Sequence, residues 1–187
     1  FSNVFLGDMV GLSNTTGYTN VFIGNEAGYS NVTGQSNVYI GQTAGRAGTG
    51  SYNVSIGYES GKNSTASYNS FLGILSGRDN TTGNYNAFFG YAAGVRNTTG
   101  GYNVFLGPRT GYYNTTGGSN VFIGERAGYY NSSGTSNVFI GDQAGYYTTT
   151  GKLNVMMGDS AGFRNTTGNY NVFIGNKAGS LNTTASY

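Results

Sequence analysis

The chain has 187 residues, with 34 Gly, 17 Tyr and 11 Phe, no Cys, His or Trp, and a net charge of +2. Without His or Cys there is no imidazole relay, no imidazole or thiolate metal ligand, no disulfide and no iron–sulfur cluster, and no cofactor is expected. Nine basic and seven acidic residues give no electrostatic footprint for nucleic acid, and no apolar run reaches the ~18 residues of a membrane-spanning helix.

The length is eleven times seventeen, and the sequence repeats on that period. A first row of glycines stands at 7, 24, 41, 57, 73, 90, 107, 124, 141, 158 and 175. Its steps are seventeen except for two of sixteen, from Gly41 to Gly57 and from Gly57 to Gly73. A second Gly follows each of these four residues later, and a third row runs from Gly17 to Gly168, with Ala66 and Ala185 completing it. The three rows hold 31 of the 34 glycines. The consensus reads N-V-F-I-G-x-x-A-G-Y-x-N-T-T-G-x-Y/S, and no shift in composition divides the chain, so residues 1–187 form a single repeat domain. Both ends fall within turns and lack polar caps, which reads as a segment of a longer fibrous protein.

A period of seventeen is too short for helical repeats of ~34–47 residues or leucine-rich repeats of ~20–29. It fits two short strands and two turns, and three glycines per repeat disfavour helix. The expected fold is all-β: a parallel β-roll, or β-solenoid, of eleven coils of about 17 residues, stacked ~4.8 Å apart into a rod of about 50 Å. In chain order, Val4-Phe5-Leu6-Gly7, Val21-Phe22-Ile23-Gly24 and their successors are the first strand of each coil. Segments such as Ala127-Gly128-Tyr129 are the expected second strand. Asn-Thr-Thr-Gly clusters, as at 114–117, are corner turns in which Gly supplies positive φ. The two shortened steps are expected to lose their residue in the corners, at 45–50 and 61–66, and to leave strand register intact.

Strand alternation places Val121 and Ile123 on one face and Asn120 and Phe122 on the other. With Val and Ile inside, the column Phe5, Phe22, Tyr39, Phe71, Phe88, Phe105, Phe122, Phe139, Met156 and Phe173, broken by Ser55, lies outside. Such a patch needs a cover. The expectation is a closed homo-oligomer whose interface comprises Phe22, Phe71, Phe88, Phe105, Phe122, Phe139 and Phe173.

Other residues suggest binding or modification. Gly158-Asp159-Ser160-Ala161-Gly162 matches a nucleophile-elbow pattern, and Gly57–Lys62 approximates a phosphate loop. Both are local variants of the repeat, and no base accompanies the serine, so no catalytic residue is assigned. Asn-x-Ser/Thr recurs once per corner. It reads first as turn chemistry and second as glycosylation, at Asn14, Asn80, Asn97, Asn114 and Asn165. Tyr112, Tyr129 and Tyr146 form a column followed by Phe163; Tyr52, Tyr68, Tyr85, Tyr102 and Tyr170 form another. These columns suit stacking within the sheet, and where exposed they are candidate glycan contacts. Thr16, Thr33, Thr82, Thr99, Thr116 and Thr167 form a regular Thr column, which raises ice binding as a further alternative. Charges of both signs follow the first two glycine rows, as on a solvated face, and the acidic clusters of calcium-binding rolls are missing.

With its eleven Val-x-Ile-Gly-like strands, the chain resembles the head repeats of trimeric autotransporter adhesins across its whole length. It is also similar to the Asn-Thr-Thr-Gly-rich arrays of bacteriophage tail fibres. The repeat is longer than the adhesin's, and Phe replaces a small strand residue. The resemblance implies a left-handed, homotrimeric roll in an extracellular protein of the cell surface or virion. That protein would be non-enzymatic and mediate attachment as shaft or head, with itself as partner, as a trimer or as trimers stacked into a filament, and a host glycan or protein as receptor. No nucleic-acid partner and no membrane insertion of this segment are expected.

Overall fold

A computed structural model describes residues 2–186. It shows an all-β parallel solenoid, with no helix among the described residues. Each coil contributes one three-residue strand, from β1 (Val4–Leu6) to β11 (Val172–Ile174), and the strands pair in chain order into a single parallel sheet. Parallel neighbours need a crossover of a dozen or more residues, and the fourteen between Leu6 and Val21 supply it by running once around the coil.

Like pairs with like at every step: Val4 with Val21, Phe5 with Phe22, Leu6 with Ile23. The sixteen-residue coils keep this register, since Val38 pairs with Val54, Val54 with Ser70, and Tyr39 with Ser55 and through it Phe71. The lost residue is taken from the corners. In full-length corners the N–H groups of Thr81, Thr82 and Gly83 converge on the carbonyl of Thr98 at 2.9, 3.0 and 3.3 Å. Val32, Thr33 and Gly34 make no such bonds to the shortened coil beside them, and Thr65 makes one, to Thr81. Amide exchange is therefore expected to be fastest at residues 45–50 and 61–66 and at the neighbouring corner 32–34. A uniform exchange profile along the rod would contradict this.

The expected second strand is absent. Around Ala127 the chain turns continuously, because Gly124, Arg126 and Gly128 all have positive φ, at 126°, 54° and 59°. Left-handed residues at alternate positions cannot form an extended strand. The turns still bond between coils, Gly128 N–H to Ala144 at 2.9 Å and Tyr130 N–H to Tyr146 at 3.0 Å. The third-row glycines also differ from expectation, since their φ is not positive. Gly117 is required by close approach: a Cβ there would lie 2.4 Å from both the Gly134 carbonyl and Asn114 Oδ1.

The facing of the strand is the reverse of the sequence expectation. Phe22, Phe88, Phe105, Phe122 and Phe139 are fully buried inside their own coils, Phe71 nearly so, and Phe173 packs half-buried at the end of the same core. The Phe column is therefore not an interface between chains. The Val and Ile columns lie on the outer face, half-buried to exposed. Asparagine decides this parity. Asn120 shares its face with Phe122, and its amide must be inside, because Nδ2 donates to Gly134 O at 2.9 Å while Oδ1 accepts the Asn137 N–H at 3.0 Å. The same bond from Oδ1 to the next coil's Asn N–H recurs at every step from Asn3 to Asn171.

One apolar column fills the remaining space. Phe105, Phe122 and Phe139 stack with centroids 5.0 and 4.7 Å apart and planes within 4°, and small Ala127, Ala144 and Ala161 line the opposite wall. Two coils depart together in core and corner. Tyr39 stands in the Phe column, and its hydroxyl fills the space where Gly48 replaces the corner Asn: a Cβ on Gly48 would lie 2.6 Å from that oxygen. Gly48 has no side-chain amide to donate, so Asn31 Oδ1 is left buried and unpartnered. Ser55 then interrupts the column, and the core divides into one cluster around Phe22 and Tyr39 and another from Phe71 to Met156.

Burial pushes the Tyr39 phenol pKa well above its usual range, with Asn53 beside it acting weakly the other way. A phenol raised in the folded state favours folding fully below its unfolded pKa of ~10, and that contribution is lost as pH rises toward the folded value. Tyr39→Phe is expected to flatten the alkaline fall in stability above pH ~10. Equal alkaline denaturation profiles for the two proteins would refute the assignment.

Candidate interaction surfaces

Three sets of side chains form the regular columns to which the sequence assigns binding or modification. The first is aromatic. Tyr112, Tyr129, Tyr146 and Phe163 stack at 5.2, 5.1 and 5.3 Å with planes 21°, 4° and 12° apart. A parallel column of Tyr113, Tyr130 and Tyr147 meets them edge-on, as at Tyr129–Tyr130, where the planes lie 81° apart at 4.9 Å. The Arg96 guanidinium sits 4.9 Å over the Tyr113 ring. Burial, then the neighbouring phenols, raise the pKa of Tyr129; burial leads again at Tyr146. Tyr52, Tyr68, Tyr85 and Tyr102 form the second ladder, at 5.1, 4.9 and 4.9 Å.

Stacking closes the ring faces. Each tyrosine within a column covers its neighbour and presents an edge and a hydroxyl outward, so a sugar has no face to lie on at Tyr129 or Tyr146. A face opens where the column stops. Coil eleven has Ser180 in place of an aromatic residue, and a cleft of about 300 Å³ lies beside Phe163, with Arg164, Lys177 and Leu181 on its walls.

The second set is the corner asparagines, and here the glycosylation expectation is corrected. Asn80, Asn97, Asn114 and Asn165 are fully buried. Asn97 Nδ2 donates to Asn80 Oδ1 at 2.5 Å and to Gly100 O at 2.8 Å, and Asn114 Nδ2 donates to Asn97 Oδ1 at 2.6 Å. Asn165 Nδ2 donates to Gly168 O at 3.2 Å. Asn14 is half-buried with its Nδ2 enclosed. Glycosylation would modify that nitrogen, so a glycan and this ladder exclude one another. A separate interior amide column is the Asn that precedes the strand in all eleven coils, and that constancy is its signal in the sequence.

The third set is threonine. Hydroxyls of the inner column donate to the next coil, Thr81 to Thr98 O and Thr98 to Thr115 O, each at 2.9 Å. The outer column, Thr16, Thr33, Thr82, Thr99, Thr116 and Thr167, is exposed, and the two shortened corners interrupt it. Charged side chains pair locally, Lys62 with Glu59 and Arg78 with Asp79 at 2.6 Å each. Among the described residues no three His, Cys, Asp or Glu side chains gather where they could hold a metal ion. Compared with known protein families, curated proteins and solved structures, the chain matches none.

Proposed function

We propose that this chain is a non-enzymatic structural segment: the shaft or head of an extracellular fibre of the trimeric adhesin or phage tail-fibre kind, holding an attachment site away from a surface. The observation that carries this reading is the uniformity of the rod. The inward groups of each coil go into bonds with the coils beside it, and length is set by coil number at ~4.8 Å per coil. Left-handed winding and assembly as three copies come with the resemblance and belong to the same reading. The partner is the chain itself, with a glycan or protein receptor at the attachment site.

Deleting two whole coils, residues 104–137, joins Asn103 to Val138 and restores the repeat. The expected result is a fibre shorter by about 10 Å that still attaches to its target. Loss of attachment would make these coils a binding site and reject the spacer role.

The open face of Phe163 favours one second reading, a carbohydrate-binding module. On that reading Phe163→Ala abolishes glycan capture, whereas Tyr129→Ala does not. The exposed Thr column supports ice binding as a third, which thermal hysteresis measures directly.

A further inference from the structure

Six tyrosines fall within three consecutive coils, in two columns that adjoin: Tyr112, Tyr129 and Tyr146 beside Tyr113, Tyr130 and Tyr147. Between the columns the rings meet at steep angles in an unbroken zigzag. The steps that pass from one coil to the next are Tyr113–Tyr129, with centroids 5.3 Å apart and planes at 77°, and Tyr130–Tyr146, at 5.4 Å and 83°. Within each column the rings lie nearly parallel, as they do in the separate ladder of Tyr52, Tyr68, Tyr85 and Tyr102. Cys, Trp and His are absent, and the three Met oxidise by gaining an oxygen atom, which leaves tyrosine as the seat of one-electron oxidation.

We infer that this double column is a site of oxidative cross-linking, in which Tyr113 couples to Tyr129 and Tyr130 to Tyr146, so that the coils on either side of β8 (Val121–Ile123) are joined to it covalently. The oxidant is hydrogen peroxide acting through a haem peroxidase. Each phenol gives up one electron and its hydroxyl proton, and the two tyrosyl radicals join through ring carbons ortho to oxygen. Those carbons then pass their hydrogens back to oxygen and both phenols re-form. In sum, two tyrosines and one peroxide give one dityrosine and two waters. Tyr130 and Tyr147 are 37% and 42% exposed, which admits the electron transfer, and ring contact carries the oxidation to the half-buried Tyr129 and Tyr146. Spacing selects the pairs. A bond between ortho carbons sets the two Cβ-bearing carbons at its far ends, further apart than the ~4.8 Å between rungs of one column. Stacked tyrosines are therefore too close at their roots to couple. The diagonal step adds the width between columns to the rise of one coil, and it turns the edge of one ring, where the ortho carbons lie, toward its partner. The staple goes beyond the attachment role, since it hardens the rod whatever the rod carries.

The test treats the folded chain, at low concentration, with hydrogen peroxide and a haem peroxidase, then unfolds it and digests it with trypsin. Cleavage after Arg109, Arg126 and Lys152 gives peptides 110–126 and 127–152. The expected product migrates as a single chain, carries the blue fluorescence of a biphenol, and holds these two peptides together through Tyr113 and Tyr129 with the loss of two hydrogens. A second loss of two hydrogens falls within 127–152, between Tyr130 and Tyr146. Tyr113→Phe is expected to remove the joined product, although Tyr112 still stacks on Tyr129 at 5.2 Å and belongs to the same peptide. Phe keeps the ring, so circular dichroism should match the wild type. The more exposed ladder is the control: Tyr68 lies in peptide 63–78 and Tyr85 in 79–96, and these two peptides should stay separate. The link closes a loop as a disulfide does, and the unfolding constant measured by amide exchange in β8 should fall roughly a hundredfold. No biphenol product, undiminished joining in Tyr113→Phe, links in the exposed ladder as abundant as those in the double column, or cross-links only between chains would each overturn the inference.

Discussion

Phe122→Ala is expected to destabilise the central coils by about 4–5 kcal/mol, the upper part of the range for buried aromatic truncation. The ring is fully buried and stacked between Phe105 and Phe139 at 5.0 and 4.7 Å. In a globular core, neighbours relax into such a void and recover part of the loss. Here they cannot, because backbone bonds on both sides fix the spacing of the coils, such as Val121 N–H to Asn137 O at 2.9 Å and Val104 N–H to Asn120 O at 2.8 Å. Denaturant unfolding monitored by amide exchange in β8 measures the effect. A loss below about 1 kcal/mol would mean that the Phe column is not the main apolar support of the rod.

Asn120→Asp is expected to cost more at neutral pH than at low pH. The substitution removes the donor that braces Asn120 to Gly134 O at 2.9 Å and places a carboxylate against the Asn103 amide oxygen and that carbonyl, with no cation beside it. Desolvation raises the folded-state pKa of such a carboxyl above its unfolded value of ~3.9. The neutral form is therefore favoured in the fold. The penalty is smallest below the unfolded pKa and grows as pH rises toward the folded one. At neutral pH the expected loss is about 3–5 kcal/mol, the cost of a buried charge without a partner. Asn120→Leu separates the two contributions: it leaves the Asn137 N–H unpaired and the Gly134 carbonyl with Asn131 Nδ2 alone, at a cost of about 1–3 kcal/mol that does not vary with pH. A pH-independent Asp variant would mean that water reaches the ladder.

The period, the number of coils, the position of the first strand before the first-row glycines and its register through the shortened coils are all legible, since each follows from spacing alone. The facing of the strand is not legible from hydrophobicity. Hydrophobicity places Val and Ile in the interior, whereas the Asn at the preceding position, unvaried in every coil, has the stronger claim. An amide that completes the backbone bonding of two coils must be inside, and alternation then takes Phe inside with it. The second strand failed for a reason the sequence conceals. Left-handed φ at Glu26, Arg126 and their equivalents falls on residue types that carry no such preference. Columns of tyrosine were visible in sequence. Whether they offered faces or edges depended on the stacking of the rings, which spacing does not convey.

The in-register stack also bears on how such a chain changes over generations. Each coil meets the coil on either side through the same contacts, so removing or duplicating a whole coil brings together surfaces already fitted to one another. Slippage between near-identical stretches of coding sequence thus yields rods of new length without passing through a misfolded form. The two sixteen-residue coils show that smaller losses survive when they fall at a corner. A loss within a strand would exchange the inner and outer faces of everything beyond it in that coil. Variation among such genes should therefore be quantised in whole coils, with scattered single-residue gaps confined to the Asn-Thr-Thr-Gly turns.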